Sequence, residues 1–399
     1  MESATFNGAS GLRNTTYVER LTKTDLVTAI NVDLDESGTI LRRKGITQVN
    51  GLPTHSLYSL GEQMLCVQDG AMTLMESDGV STTLRTGIQG SRVSYATLAS
   101  ITYWVDGYEA GVIDTGVCRQ WGVQPPPAAA ATLATGSLPA GRYAVAATYL
   151  RNDGHESGAP ASTVFVVPAN GALYVDLPAS DNPDVVSTRV YVTTPDGDEL
   201  YLYGEYPLDA AIAVLDEVVE QVVPLRTQFM GPPPAGHICA FFAGRMYVAK
   251  DNFLFYSLPY EHELFDLRTG FIPFEDRLTM VAPVTNGVFV SPTSYVMFLQ
   301  GMNPDEFKTS KVYGFGAIEG TSLIVKADYI VKDAQPDPCA VWLGTDGICV
   351  GLAVGQSSNL TGQVKNLTAE KYVMRLDDIT GASVLKLRDG TPHFVVSSQ

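Results

Sequence analysis

The chain has 399 residues, with 26 basic against 43 acidic side chains and a net charge of −17. That balance argues against a protein that grips DNA or an anionic membrane, since both need clustered lysine and arginine. Only 17% of residues are charged while 45% are hydrophobic, which excludes a disordered acidic tail. The length suggests two or three domains, and abundant Gly (37), Pro (23) and Tyr (19) fit many short strands joined by tight turns.

From the N-terminus, no basic segment precedes an apolar run and no apolar stretch approaches the roughly 20 residues that cross a bilayer, so a cytoplasmically made, soluble chain is expected. Asp33-Leu34-Asp35-Glu36-Ser37-Gly38 has the look of an oxygen-ligand calcium loop, but the twelfth position, where a bidentate acid belongs, is Lys44. A turn after the strand Ala29-Ile30-Asn31-Val32 is the better reading. Arg42-Arg43-Lys44 is the tightest basic cluster, and in so acidic a chain its natural counterpart is a partner's acids.

A hairpin then recurs. Leu65-Cys66-Val67 turns at Asp69-Gly70, Tyr103-Trp104-Val105 at Asp106-Gly107, and Met246-Tyr247-Val248 at Lys250-Asp251-Asn252. Val288-Phe289-Val290 turns at Pro292-Thr293-Ser294, Val341-Trp342-Leu343 at Asp346-Gly347, and Val384-Leu385 at Asp389-Gly390. Apolar runs flanking a turn that tolerates positive φ are the short-range mark of a β-hairpin. The turns from Asp69, Asp251, Thr293 and Asp346 are followed by the next at 37, 42, 53 and 43 residues, close to the roughly 40–50 of a four-stranded propeller blade, once the 145-residue gap from Asp106 to Asp251 is set aside. Removing the 108 residues 125–232 shortens that gap to 37, so the segment reads as an insertion.

Proline triplets bound the insertion at Pro125-Pro126-Pro127 and Pro232-Pro233-Pro234. Inside, runs near Tyr143–Tyr149, Ser162–Val167, Ala172–Leu177, Ser187–Thr193 and Leu200–Tyr203 alternate with turns at Asp153-Gly154, Asn170-Gly171 and Asp196-Gly197, at sandwich spacing. The expected architecture is therefore all-β: a β-propeller of about six blades in two parts, 1–124 and 233–399, with an immunoglobulin- or fibronectin-III-like β-sandwich at 125–232. Helix is scarce, with 210–223 the best candidate.

Nothing in the chain spells out a catalytic signature. Gly-x-Ser-x-Gly, the phosphate-binding Gly-Lys-Ser/Thr loop and His pairs at metal spacing are absent. His55, His155, His237, His262 and His393 stand apart, and Asp181, Asp184, Asp196 and Asp198 suit turns. Glu261-His262-Glu263 with Asp266 is the densest titratable group and reads as a solvated loop. The five cysteines, odd in number and widely spaced, read as reduced buried thiols rather than a disulfide or zinc framework. The sequons at Asn14, Asn359 and Asn366 carry little weight without secretion, and no cofactor or metal is expected.

Several of these segments also resemble a known family. Ile30-Asn31-Val32-Asp33 through Gly38 with Leu41-Arg42-Arg43-Lys44-Gly45, Tyr103-Trp104-Val105-Asp106-Gly107, Phe242-Ala243-Gly244-Arg245-Met246-Tyr247-Val248, Ile272-Pro273-Phe274 and Tyr295-Val296-Met297-Phe298-Leu299-Gln300-Gly301 look like the tail hub or nozzle proteins of short-tailed bacteriophages, also called packaged-DNA stabilisation proteins. Lys44-Gly45 departs from the Arg-Pro-Gly such signatures often carry. The resemblance implies a structural, non-enzymatic virion component. It would be a hexameric propeller ring below the portal and adaptor, through which packaged DNA passes without specific binding and with no membrane contact.

On that resemblance Arg42, Arg43 and Lys44 are candidate adaptor or subunit contacts, and the aromatics Phe253, Tyr260, Phe265, Phe271 and Phe274, with Phe255 and Tyr256, candidate ring-interface anchors, against packing within their own blade. Two other classes compete. A receptor- or glycan-binding propeller would set Trp or Tyr faces beside Asp and Asn, yet Trp104, Trp121 and Trp342 lie in apolar strand contexts. A propeller glycosidase needs paired carboxylates over a sugar, and no Asp-box repeat supports one.

Overall fold

The computed structural model describes residues 8–13, 17–34, 37–43, 51–77, 79–330, 335–361, 378–386 and 392–398. Lys44, Asp35, Glu36, Asn14, Asn366 and the turn at Asp389-Gly390 lie outside them. Among the described residues the only helical elements are three 3-10 turns, at Val18–Arg20, Pro304–Glu306 and Ala327–Tyr329. None is long or apolar enough to cross a membrane.

The protein is all-β, and its repeated unit is the propeller blade: a four-stranded antiparallel sheet whose strands pair in chain order. Such sheets span 54–86, 94–120, 238–265, 278–313 and 323–359, the third carrying an added strand, Phe271–Pro273. The last of the six hairpins is present as the pair Ile379–Lys386 and Pro392–Ser398. The turns do what the dipeptides foretold. Asp69 and Gly70 both take positive φ (48° and 73°), the twist that matches a two-residue hairpin. The Asp106 carboxylate instead accepts from the Tyr108 and Glu109 amides at 2.8 and 2.7 Å.

By contacts the chain divides into two compact units, 1–94 with 251–253 and 273–399, and 95–250 with 254–272, so the units do not follow the proline triplets. In the first, Met280, Phe289, Phe298, Ala340 and Trp342 share a core, with the Phe289 ring 4.7 Å from Phe298 and 5.6 Å from Trp342. In the second, Tyr103, Val112, Trp121, Met246, Val248 and Phe265 do the same across the sheets at 94–120 and 238–265. Each fully buried aromatic or aliphatic side chain is worth roughly 1.5–3 kcal/mol of transfer free energy. Space is tight: Trp104 lies over its cross-strand partner Gly111, where a Cβ would sit 2.4 Å from the indole.

The sandwich has seven strands in two sheets. Ala131–Leu138, Gly171–Asp176 and Ile212–Leu215 form one, and Thr163–Val167, Gly141–Arg151, Val185–Thr193 and Leu200–Pro207 the other. These pairings correspond to B–E and C′–C–F–G of an immunoglobulin-type fold, without strand A and with a final strand on the free side of E. Alternation does the work. Leu173, Val175, Ala213 and Leu215 point into a core with Tyr143, Val145, Val190 and Val192.

One expected element is overturned. The segment 210–223 is not helical: Ile212 and Val214 face out while Ala213 and Leu215 face in, a period of two that β-branched side chains favour.

Candidate functional site

Of the ionisable groups, the richest cluster joins the sandwich to a blade sheet within the second unit. Glu261-His262-Glu263, expected in a solvated loop, belongs instead to the strand Glu261–Phe265, and Glu263 is buried. The strand Gly141–Arg151 delivers Arg151 at its end, and its guanidinium grips Glu263 in a two-point pair at 2.7 and 3.1 Å. The other edge of Arg151 binds Asp153 at 2.9 and 2.6 Å. Arg119, from the blade strand Val117–Gln120, adds a second cation 3.0 Å from Glu263. The His155 ring lies 3.7 Å from the same carboxylate, and its amide donates to Asp153 at 3.1 Å.

The electrostatics follow from burial and pairing. Burial alone would push the Glu263 carboxyl up, but the Arg151 hydrogen bonds and the His155, Arg151 and Arg119 charges more than reverse it, leaving it below the usual carboxylate range. Arg151 loses hydration yet is held fully protonated by Asp153 and Glu263. Its hydrogen bond takes Asp153 down to about 2. His155 goes the other way: burial holds its imidazole below the ordinary value despite the nearby acids. Burial, with the Glu263 charge, pushes the neighbouring Tyr103 phenol up to about 12.

Backbone contacts reinforce the join. The Trp121 indole N–H donates to the His262 carbonyl at 2.9 Å. Gly231, at the insert's exit, exchanges two hydrogen bonds with Phe265, at 3.0 and 2.8 Å. Gly158 passes so close to the same exit segment that a Cβ would fall 1.7 Å from the Met230 carbonyl oxygen. Buried ion pairs and backbone hydrogen bonds together tie the inserted segment to the strand Glu261–Phe265.

The residues singled out in the sequence separate. Arg42 ends the strand Ile40–Arg42 and is exposed, while Arg43 pairs with Asp33 at 3.0 Å. Tyr260 is 82% exposed, its amide bonded to the Gly244 carbonyl. Phe253 and Phe271 are half-buried, Phe271 packing on Phe255 at 5.6 Å. Phe265 and Phe274 do not lie on the outside. Phe265 is in the core against Trp121 and Phe274 is buried, because each faces the inner side of its sheet or turn. All three tryptophans are buried. Four cysteines are buried and Cys118 half-buried, and burial raises the Cys339 and Cys349 thiols to about 11 and 12. Among the described residues no three His, Cys, Asp or Glu side chains are placed to hold a metal ion.

Sequence reading found Glu263 but not its partners. Arg151 and Arg119 lie 112 and 144 residues away, and only the inserted-domain topology brings them together.

No protein-family model and no curated protein matches the chain. Solved structures similar to it include BBS1N in complex with ARL6DN, with a TM-score of 0.33 and 11% identity over 87% of this chain and 88% of that one. AztD from Citrobacter koseri scores 0.27 at 13% identity, covering 84% and 87%. Sqt1 from Saccharomyces cerevisiae scores 0.23 at 9% identity, covering 76% and 96%.

Proposed function

We propose that the protein is a structural component of a phage tail, a hub or nozzle whose propeller assembles as a hexameric ring continuing the portal and adaptor channel. In this role it retains packaged DNA and lets it leave on infection, acting as a conduit and not as an enzyme. What carries the reading is the coincidence of the family-like residues with the blade framework. Tyr103-Trp104-Val105-Asp106-Gly107 builds one hairpin and Phe242 to Val248 another, so the resembling segments are those that specify the fold. The ion pairs of Arg151 and Arg119 with Glu263 support a scaffold role, because they tie the inserted segment to a blade sheet.

The acidic balance is compatible with a channel that repels phosphate and lets duplex slide. Its distribution qualifies that argument: 13 acidic and four basic side chains, −9 of the −17, lie within 125–232. The propeller segments carry the remaining −8. The glycan-binding alternative loses its best platforms, since no tryptophan is exposed.

Native mass spectrometry of the purified protein, with negative-stain imaging, tests the reading. Six-membered closed rings are expected, and a monomer at every concentration would overturn it. Duplex DNA is expected to pass a mobility assay unretained at physiological salt, and tight retention would contradict a passive conduit.

A further inference from the structure

Half-exposed sheets ordinarily turn apolar residues in and polar residues out. The three-stranded sheet of the sandwich breaks that rule at its last strand. Thr132, Tyr174 and Val214 align directly across the three strands, and Asp176 aligns with Ile212 in the next row. Tyr174, Val214 and Ile212 are 38%, 43% and 49% exposed, whereas their sequence neighbours Leu173, Val175, Ala213 and Leu215 are at most 1% exposed. The core is thus complete without them, and the outward face carries an aromatic–aliphatic strip that the fold does not use.

The charge around the strip selects the occupant. Asp209 and the Asp216-Glu217 pair, all exposed, flank the strand Ile212–Leu215 at its two ends, and Asp176 lies within the face. The segment 125–232 contains no lysine, and two of its four arginines are held by acids: Arg151 by Asp153 and Glu263, Arg189 by Glu156 and Glu205. A second copy would bring the same acids against these and be repelled.

We propose that this face is a docking surface for a basic protein segment that alternates lysine or arginine with aliphatic residues, its apolar side chains on the Tyr174–Val214–Ile212 strip and its cations on the rim acids. Ile212–Leu215 is the last strand of its sheet, so an extended segment can also continue the sheet there. The inference concerns the sandwich alone and stands whether or not the propeller forms a ring.

The test uses the full chain and a fluorescein-labelled twelve-residue peptide alternating lysine with valine, read by anisotropy. Saturable binding is expected that weakens at least tenfold in the double variant Tyr174→Ser/Val214→Ser and at least tenfold in Asp216→Asn/Glu217→Gln. Thermal melting of both variants is expected to match the parent, because the substituted side chains are exposed. No binding, or equal binding by the double variant, overturns the proposal. So does equal binding of a peptide alternating lysine with serine, which would mean charge alone. Dimerisation in sedimentation that the double variant abolishes would assign the face to a second copy and also overturn it.

Discussion

At the residue scale, the protein is defined by one carboxylate. Glu263 is held by Arg151 and Arg119 in a setting where a lone charge is costly. Removing one partner of such a pair typically costs roughly 3–5 kcal/mol, because the other is left buried and uncompensated. Arg151→Met, which strips Glu263 of its two-point partner, is expected to lower denaturant stability by an amount in that range. Arg151→Met/Glu263→Leu is expected to regain most of it, and a double variant no better than the single would show that packing, not charge, is lost.

The pH dependence has a defined sign. His155 is held below its unfolded value, so as pH falls past roughly 6.5 the unfolded chain takes up a proton that the fold resists, and stability declines. Asp153 and Glu263 are also depressed, so their contribution is present above about pH 4 and fades below it, for Asp153 towards about 2. Burial lowers His55 and His262 in the same sense, so His155→Gln should reduce, not abolish, the decline of the melting temperature between pH 7.5 and 5 while leaving the steeper acid limb in place. An unchanged slope over that interval would remove His155 from the account.

At the scale of elements, the blade hairpins were legible because each combines a local turn signal with an apolar run, and a hairpin needs nothing from the rest of the chain. The sandwich strands were legible for the same reason. The misread 210–223 segment is short, and its runs of alanine and valine fit either period until the partner strand Gly171–Asp176 fixes which side is buried. The ion cluster was not legible. Nothing near Arg151 in sequence marks it as the partner of a glutamate 112 residues later.

Replacing 125–232 by a short linker should leave hydrogen-exchange protection in the strands Leu278–Val284 and Pro338–Gly344 as it is in the full chain, since that core draws on neither the insert nor its stems. Gly158→Ala, in contrast, must push the Met230 carbonyl away and is expected to destabilise the sandwich's seat, seen as faster exchange around Ala159 and Phe229. Protection lost throughout on deletion would mean the insert is integral to the propeller.

For the whole molecule, the proposed conduit would use acids that face a channel. The count by segment changes the weight of that idea: more than half of the net charge belongs to the sandwich, where four of the acids flank an apolar strip. The propeller's −8 is what remains for a lumen. Closure of the proposed ring needs a heterologous interface, for which exposed Tyr260 and half-buried Phe253, Phe255, Tyr256 and Phe271 are the remaining aromatic anchors now that Phe265 and Phe274 are known to be buried. The central claim, that the chain builds a conduit, is tested most directly by native mass spectrometry of the purified protein across a concentration series. A single species of six subunits, dissociating in Tyr260→Glu, is the predicted result; a monomer throughout would contradict the claim.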